Sequence, residues 1–343
     1  MHQLGTLEDL PQEYRDQLTQ KNLVPLWPNM RAVLPPRVPT RKTGTLCWDY
    51  QTIRPLLLEA GQLTPMEKAE RRVLVLANPG HGLSNMQATP SIYMGLQLIL
   101  PGETAPNHRH TPNAVRIIVE GEGAFTTVDG EPCRMERGDL ILTPAGKWHE
   151  HHHEGEGPIV WLDVLDLPLI YQLEGSWAME GQPQVPSLAR DKSFADYSAA
   201  GVVPNINFER DTQTAPMLRY PWQKTRACLV EMATHYAEGL LRISYVNPEN
   251  GKSLFPSIGF GAIMLRPGEV ISLPRRTTPC IFHVVEGQGS LSVDQGTALQ
   301  WVEKDTLSAP GYSDITFSNT NSEAPAFLIT ADESPLHQYL GIY

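Results

Sequence analysis

From residue 91 onward the apolar positions come in short bursts. "YMGLQLIL", "VRIIVEG", "AFTTVDG", "DLILTP" and "IVWLDVLDL" are each closed by glycine, proline or aspartate. Runs of this length between turn residues predict the strands of a small barrel or sandwich. The first 90 residues follow another pattern. Leu7, Leu10, Tyr14 and Leu18 recur at helical spacing behind a Thr6–Asp9 capping pair, which predicts a helix over the first 20 residues. The proline-rich "LPPRVPTRKTG" predicts an extended segment. A second helix is expected to open at Thr64, Pro65 and Glu67, and to end near Arg71 and Arg72 ahead of a strand and turn in "VLVLANPG". Residues 175–238 are mixed, with "SFADYSAAGVVPN" reading as linker, and the β pattern returns after them.

That return is a repeat. With a shift of 166, Pro101-Gly102-Glu103 falls on Pro267-Gly268-Glu269 and Val119-Glu120-Gly121 on Val285-Glu286-Gly287. Gly123, Gly130, Asp139 and Pro144 likewise meet Gly289, Gly296, Asp305 and Pro310. Matches concentrated at turns mean that the same chain reversals are built twice. The expected organisation is a helical and extended arm over 1–90, a first β unit over 91–174, a linker over 175–238 and a second β unit over 239–343.

The two copies differ where chemistry would sit. His108, His110, Arg116, His149 and His151 of the first copy align with Pro274, Arg276, Phe282, Ile315 and Phe317 of the second. Five polar positions are lost together while the turns stay, which points to one site in the first unit and none in the second. Alternation along a strand puts His108 and His110 on one face, and His149 and His151 on another shared face. Three neutral imidazoles converging inside a barrel are ligands for Fe, Mn, Ni, Cu or Zn. Arg116 shares their inward parity, and a buried guanidinium there needs an anionic partner. His81, His152, His153, His235, His283 and His337 read as structural or solvated residues.

Bulk properties narrow the classes. The 343 residues suit two ordinary domains, and the net charge of −11 without a basic stripe argues against a duplex nucleic-acid partner. An anionic ligand would need positive charge supplied locally. Cys47, Cys133, Cys228 and Cys280 lie far apart, as expected of reduced thiols in a cytoplasmic protein. No run of about 18 apolar residues predicts a membrane span, and the polar N-terminus has no signal core.

"PGETAPNHRH" followed by "EGEG", and then "GDLILTPAGKWH", resemble the two motifs of the cupin superfamily. More narrowly, "LQLILPGETAPNHRHTPNAVRIIVEGEGAFTTVDGE" with "WLDVLDLPL" resembles the bicupin gentisate 1,2-dioxygenases and their relatives acting on salicylate and 1-hydroxy-2-naphthoate. The resemblance implies a mainly β fold of two jelly-roll barrels behind an N-terminal helical arm. It also implies one Fe(II) per chain on His108, His110 and His149, a small aromatic acid and O2 as reactants, and a cytoplasmic homotetramer. Most metal cupins place a glutamate four or five residues after the second histidine of the pair; here Ala114 and Val115 stand there. That absence counts against a Mn-dependent decarboxylase on the same fold, and a ligand-binding or storage bicupin would have no use for the three histidines. By resemblance Arg116 and Arg72 contact substrate, Tyr93, Gly95 and Gln97 line the pocket, and His151 with Asp163 stands beside the reacting centre. The reaction implied is ring opening of gentisate to maleylpyruvate, with salicylate or 1-hydroxy-2-naphthoate cleavage as the alternative.

Overall fold

Apolar runs and turn residues become antiparallel sheets in the computed structural model, which describes residues 5–204 and 215–343. The chain divides into a unit of residues 1–42 and a unit of residues 43–343. In the first unit, helix α1 (Gln12–Gln20) starts later than its apolar spacing suggests, and α2 (Leu26–Val33) follows. The Thr6 amide does donate to Asp9 Oδ2 at 2.6 Å, but that turn stops short of Pro11. Proline disfavours helical backbone in the residue before it, so α1 begins after it.

The second unit opens with strand β1 (Leu46–Trp48), helix α3 (Tyr50–Leu63), the single turn α4 (Met66–Ala69) and strand β2 (Arg72–Val75). The helix expected from Thr64 to Arg71 is thus mostly replaced. Thr64 closes α3, which Asp49 opens by accepting from the Gln51 amide at 2.9 Å. Pro55, inside α3, masks that helix in the sequence. The Glu67 side chain lies outside what the structure describes.

The first barrel is built from β3 (Tyr93–Ile99), β4 (Thr104–His110), β5 (Ala114–Glu120), β6 (Ala124–Val128), β7 (Glu131–Met135), β8 (Leu140–Thr143), β9 (His149–His153) and β10 (Ile159–Leu165). After helix α5 (Leu167–Gln172) come β11 (Ala178–Glu180), helix α6 (Lys192–Asp196), β12 (Arg219–Tyr220) and helix α7 (Trp222–His235). Asn205, the last residue of the expected "SFADYSAAGVVPN" linker, lies outside the described residues. The second barrel comprises β13 (Leu241–Ser244), β14 (Gly259–Leu265), β15 (Val270–Leu273), β16 (Cys280–Glu286), β17 (Gln288–Val293), β18 (Leu299–Val302), β19 (Thr306–Ala309), β20 (Ile315–Asn319) and β21 (Ala326–Asp332), before helix α8 (Ser334–Tyr339). Sheets β12-β8-β5-β10-β3-β2 and β11-β4-β9-β6-β7 form the first barrel, and β1-β19-β16-β21-β14-β13 and β15-β20-β17-β18 the second. The fold is the expected mainly β bicupin.

The edge strands are exchanged. β1 precedes the first barrel but pairs with β19 of the second, whereas β12 precedes the second and pairs with β8 of the first. The two 14-residue helices that follow them brace the barrels reciprocally. The α3 N-terminus, at the Tyr50 amide, donates to Asp305 of the second barrel at 2.9 Å, while its Arg54 pairs with Glu120 of the first. The α7 N-terminus, at the Trp222 amide, donates to Asp139 of the first barrel at 2.8 Å, while its Arg226 pairs with Glu286 of the second. Asp139 and Asp305 are one pair of the repeat, and Glu120 and Glu286 another. Each aspartate satisfies an orphan amide of a helix start.

Three apolar clusters follow. One, with Leu96, Val115, Leu140, Trp222, Leu229, Phe260, Met264 and Phe327, joins strands of both barrels to the bracing helices. The first barrel's interior is only partly apolar, with Ile118, Ile141 and Trp161. The second barrel's interior is filled, and Phe282, Ile315 and Phe317, the replacements for Arg116, His149 and His151, are part of that filling. Phe282 and Phe317 meet at 4.7 Å between ring centroids. The second copy has exchanged a site for a core.

Where β21 ends, Glu333 is buried and accepts from Thr89 Oγ1 and from the Ser91 amide and hydroxyl, tying this end of the chain to the loop before β3. Burial pushes its carboxyl up to about 7 against those stabilising bonds. A folded-state pKa above the unfolded one means the native state keeps a proton that the unfolded state has released. Stability should therefore fall as pH rises from about 4.5 to about 7, by about 3 kcal/mol from this group. Glu333→Gln should flatten that slope in urea midpoints measured between pH 5 and pH 8; an unchanged slope would place the pH dependence elsewhere.

Candidate metal centre

The first barrel's inner face is set by strand register. β10 lies between β3 and β5, so Asp163 stands opposite both Gly95 and Arg116, and Trp161 opposite both Gln97 and Ile118. Directly paired residues share a face, which puts Tyr93, Gly95, Gln97, Arg116, Trp161 and Asp163 on one inner wall. The other wall comes from β4 and β9, where His108 pairs with His149 after a bulge that separates this pair from Ala105 and His151.

His108, His110 and His149 converge from these strands, with ligand nitrogens all within 4.8 Å of one another. Each ring is held from behind. Nδ1 of His108 donates to the Pro106 carbonyl at 2.8 Å, that of His110 to Pro112 at 2.7 Å and that of His149 to Lys147 at 3.0 Å. A carbonyl only accepts, so the proton sits on Nδ1 and the Nε2 lone pairs are left facing inward. Nε2 of His149 is fully buried and has no hydrogen-bond partner, an expense that a metal ion would relieve. Desolvation, then the Arg71 and Arg116 charges, pushes His108 down to about 3 and His110 to about 4. Burial and Arg116 hold His149 and His151 well below the usual range. The three rings are neutral donors in a geometry that fits a divalent ion. Among the described residues they are the one group of this kind, and no carboxylate belongs to it.

Around the triad, Arg116 is buried, donates to Thr143 Oγ1 at 2.8 Å and lies 3.4 Å from Asp163 Oδ1. Burial pulls the guanidinium down to about 10, against the favourable charge of Asp163. Burial raises the Asp163 carboxyl despite Arg116. His151 is buried, bonded through Nδ1 to Thr126 Oγ1 at 3.0 Å and packed on Trp161 at 4.9 Å between ring centroids. Gln97 is buried with its amide nitrogen unsatisfied. Gly95 is glycine for space: a Cβ would stand 2.3 Å from Val73 and 2.7 Å from the Tyr93 hydroxyl. Tyr93 also lines a cavity of about 470 Å³ with Met86, Pro168 and Tyr171.

Arg72 is the correction. It heads β2 opposite Leu98, while Val73 and Val75 oppose Gln97 and Gly95. Alternation therefore turns Arg72 to the outer face, where it is buried, paired with Glu103 and bonded to the Gly61 carbonyl at 3.0 Å. Its neighbour Arg71 has inward parity, and its charge acts on His108, His110, His151, Tyr93 and Asp163. Desolvation lowers its own pKa. Arg71 lies just before β2, two positions ahead of the inward Val73, a parity that the expected helix hid. Arg71→Ala should cut kcat/KM by about tenfold or more with an unchanged thermal midpoint, as loss of one charged contact does. Arg72→Ala should do the reverse, lowering the midpoint through the unpaired Glu103. Steady-state kinetics and calorimetry on both variants separate them, and a kinetic defect confined to Arg72→Ala would reverse the assignment.

The other histidines have local tasks. His152 bonds Glu150 at 2.8 Å and His283 bonds Thr306 at 3.1 Å. The four cysteines are free thiols, and no helix among the described residues is long and apolar enough to cross a membrane.

Residues 95–165, from β3 to β10, match the cupin domain model. The chain is 56% identical to a gentisate 1,2-dioxygenase of Ralstonia sp, over 100% of this chain and 96% of that protein. It is 34% identical to gentisate 1,2 dioxygenase 1 of Aquipseudomonas alcaligenes, over 96% and 94% of the two chains. The crystal structure of salicylate 1,2-dioxygenase from Pseudoaminobacter salicylatoxidans with gentisate superposes with a TM-score of 0.90 at 28% identity, covering 100% of this chain and 94% of that one. Full-length similarity at this level, carried by two barrels of which one keeps the histidines, makes the chain a member of the gentisate 1,2-dioxygenase family of ring-cleaving bicupins.

Proposed function

We propose that the protein is an Fe(II)-dependent gentisate 1,2-dioxygenase that opens the ring between its carboxyl- and hydroxyl-bearing carbons to give maleylpyruvate. The observation that carries this is charge: three neutral imidazoles with no carboxylate among them, and two guanidiniums acting on the same space. Such a ligand set leaves a divalent ion its full double positive charge, which favours an anionic bidentate ligand such as a 2-hydroxybenzoate. Iron, when bound by His108, His110 and His149, supplies adjacent open positions and the electron relay between the ring and O2.

The chain's own residues do the rest. Arg116, on β5, is placed to take the substrate carboxylate as a bidentate fork, with Arg71 as a second cation. Asp163 keeps the Arg116 guanidinium charged despite its burial, and fixes its direction. The unsatisfied amide of Gln97 is a donor for a substrate oxygen. Gly95 and Tyr93 set how wide a ring the wall accepts. His151, neutral and held by Thr126, and Asp163, raised by burial, are the groups able to hold or pass a proton beside the ring. Trp161 and the surrounding apolar wall exclude water from the reacting groups.

The test is a substrate panel. The protein, loaded anaerobically with Fe(II), is given gentisate, salicylate, 5-aminosalicylate and 1-hydroxy-2-naphthoate, and oxygen uptake and product absorbance are followed. Gentisate should give the highest kcat/KM with one O2 consumed per ring. No uptake with any of the four would end this reading, and a preference for salicylate would move the substrate assignment to the alternative.

A further inference from the structure

The second barrel is closed at its centre but not at its mouth. Phe282, Trp301 and Phe317 block the interior, with Phe282 and Trp301 at 4.7 and 6.2 Å from Phe317 between ring centroids. Above them a small cavity of about 20 Å³ is lined by Pro274, Arg276, Phe282 and Ile315. These residues occupy the repeat positions of His108, His110, Arg116 and His149. A cation thus stands where the first barrel has a metal ligand. The cavity adjoins a depression of about 240 Å³, and Arg242, Arg276 and Asp332 line both.

The chemistry of this mouth is that of an anion site. Arg242 Nη2 lies 3.4 Å from Asp332 Oδ2. Arg276 donates to the Tyr343 hydroxyl and stacks on its ring at 5.6 Å, so its charge meets no carboxylate there. Two guanidiniums against one carboxylate leave a net positive charge. A second observation is independent of charge. Thr278, only 4% exposed, lines the small cavity with a hydroxyl that has no hydrogen-bond partner. A buried hydroxyl is rarely left so, because the missing bond costs stability. Ser244, Ser334 and Gln338 add polar groups on the outer side.

We propose that the mouth of the second barrel binds a small carboxylate anion, gripped by Arg276 and Arg242 with the Thr278 hydroxyl as a further donor. The guanidinium fork matches a carboxylate in two parallel bonds; the small cavity beside Thr278 takes one oxygen-sized group, and the 240 Å³ depression takes the rest of a short dicarboxylate. This site is separate from the histidine centre and does not depend on which ring that centre cleaves.

Equilibrium dialysis of the metal-loaded protein against radiolabelled malonate tests it. Wild type should bind one more malonate per chain than Arg276→Ala does, or bind it at least tenfold more tightly, with metal content, turnover and thermal midpoint unchanged. Arg275→Ala, which removes an adjacent exposed cation beside Asp314, should bind as wild type does. Equal stoichiometry and affinity in wild type and Arg276→Ala, or an equal loss in Arg275→Ala, would overturn the proposal. Should Arg276→Ala fail to fold, Thr278→Val decides: a several-fold weakening supports the site, and wild-type affinity rejects it.

Discussion

Replacing His149 by alanine is expected to yield a folded protein that retains no metal and consumes no oxygen. His149 lies at the meeting point of β9 with β4, and its ring stands 4.1 Å from that of His108 and 4.9 Å from that of His110. Its Nε2, with its lone pair facing inward, is buried without any protein partner. Two histidines of β4 alone leave the ion one strong ligand short, and among the described residues no carboxylate belongs to the cluster. Metal content after dialysis should fall below about a tenth of wild type, and turnover by about three orders of magnitude, because the metal supplies the chemistry. Losing a buried ring leaves a cavity costing about 2–4 kcal/mol, which a two-barrel fold of this size should survive. Elemental analysis, oxygen uptake and circular dichroism measure the three quantities. Stoichiometric metal in His149→Ala would refute the three-histidine centre.

Arg116→Met should have the second largest effect. Methionine keeps the length and apolar stem but removes the charge aimed at the substrate carboxylate. A fall in kcat/KM of about a hundredfold to a thousandfold is expected, about 3–4 kcal/mol, with a raised KM and normal metal content. Stability also enters, since Asp163 loses its cation inside the barrel, and a buried charge left alone is destabilising. Arg116→Met combined with Asp163→Asn separates the two effects. The double variant should recover thermal stability while its kcat/KM stays well below that of Asp163→Asn alone; equal kcat/KM in these two would reduce Arg116 to a structural partner.

The strands and the centre were the most legible parts of the chain. Short apolar runs and glycine turns located β3, β5, β6, β8 and β10, because a barrel with a polar lumen repeats its inward residues at fixed parity, whereas β7 (Glu131–Met135) gave no such run. The histidine pair on β4 and its third member on β9 followed from the same rule. Arg71 escaped because its reading depended on where a helix ended, and a single position of error exchanges the two faces of a strand. The flanking β1-α3-β2 and β12-α7-β13 segments were unreadable as repeats for another reason. Tyr50 and Arg54 match Trp222 and Arg226 at an offset of 172 (222 − 50), against 166 inside the barrels. The gap of six (172 − 166) hides the relation from any ungapped shift. Nothing local in either segment says that its strand will be donated to the other barrel.

The reciprocal bracing explains how the second copy could lose its histidines and still persist. Each long helix is seated by an aspartate of one barrel and clasped by a glutamate of the other, so neither half has a complete surface of its own. Selection for ring chemistry could lapse in the rear copy, because only the front copy answers for catalysis. Selection for shape could not, since each half borrows its frame from the other. A duplicated gene wired in this way keeps the half without the histidine triad as an obligatory scaffold, free to change its lining but not its outline.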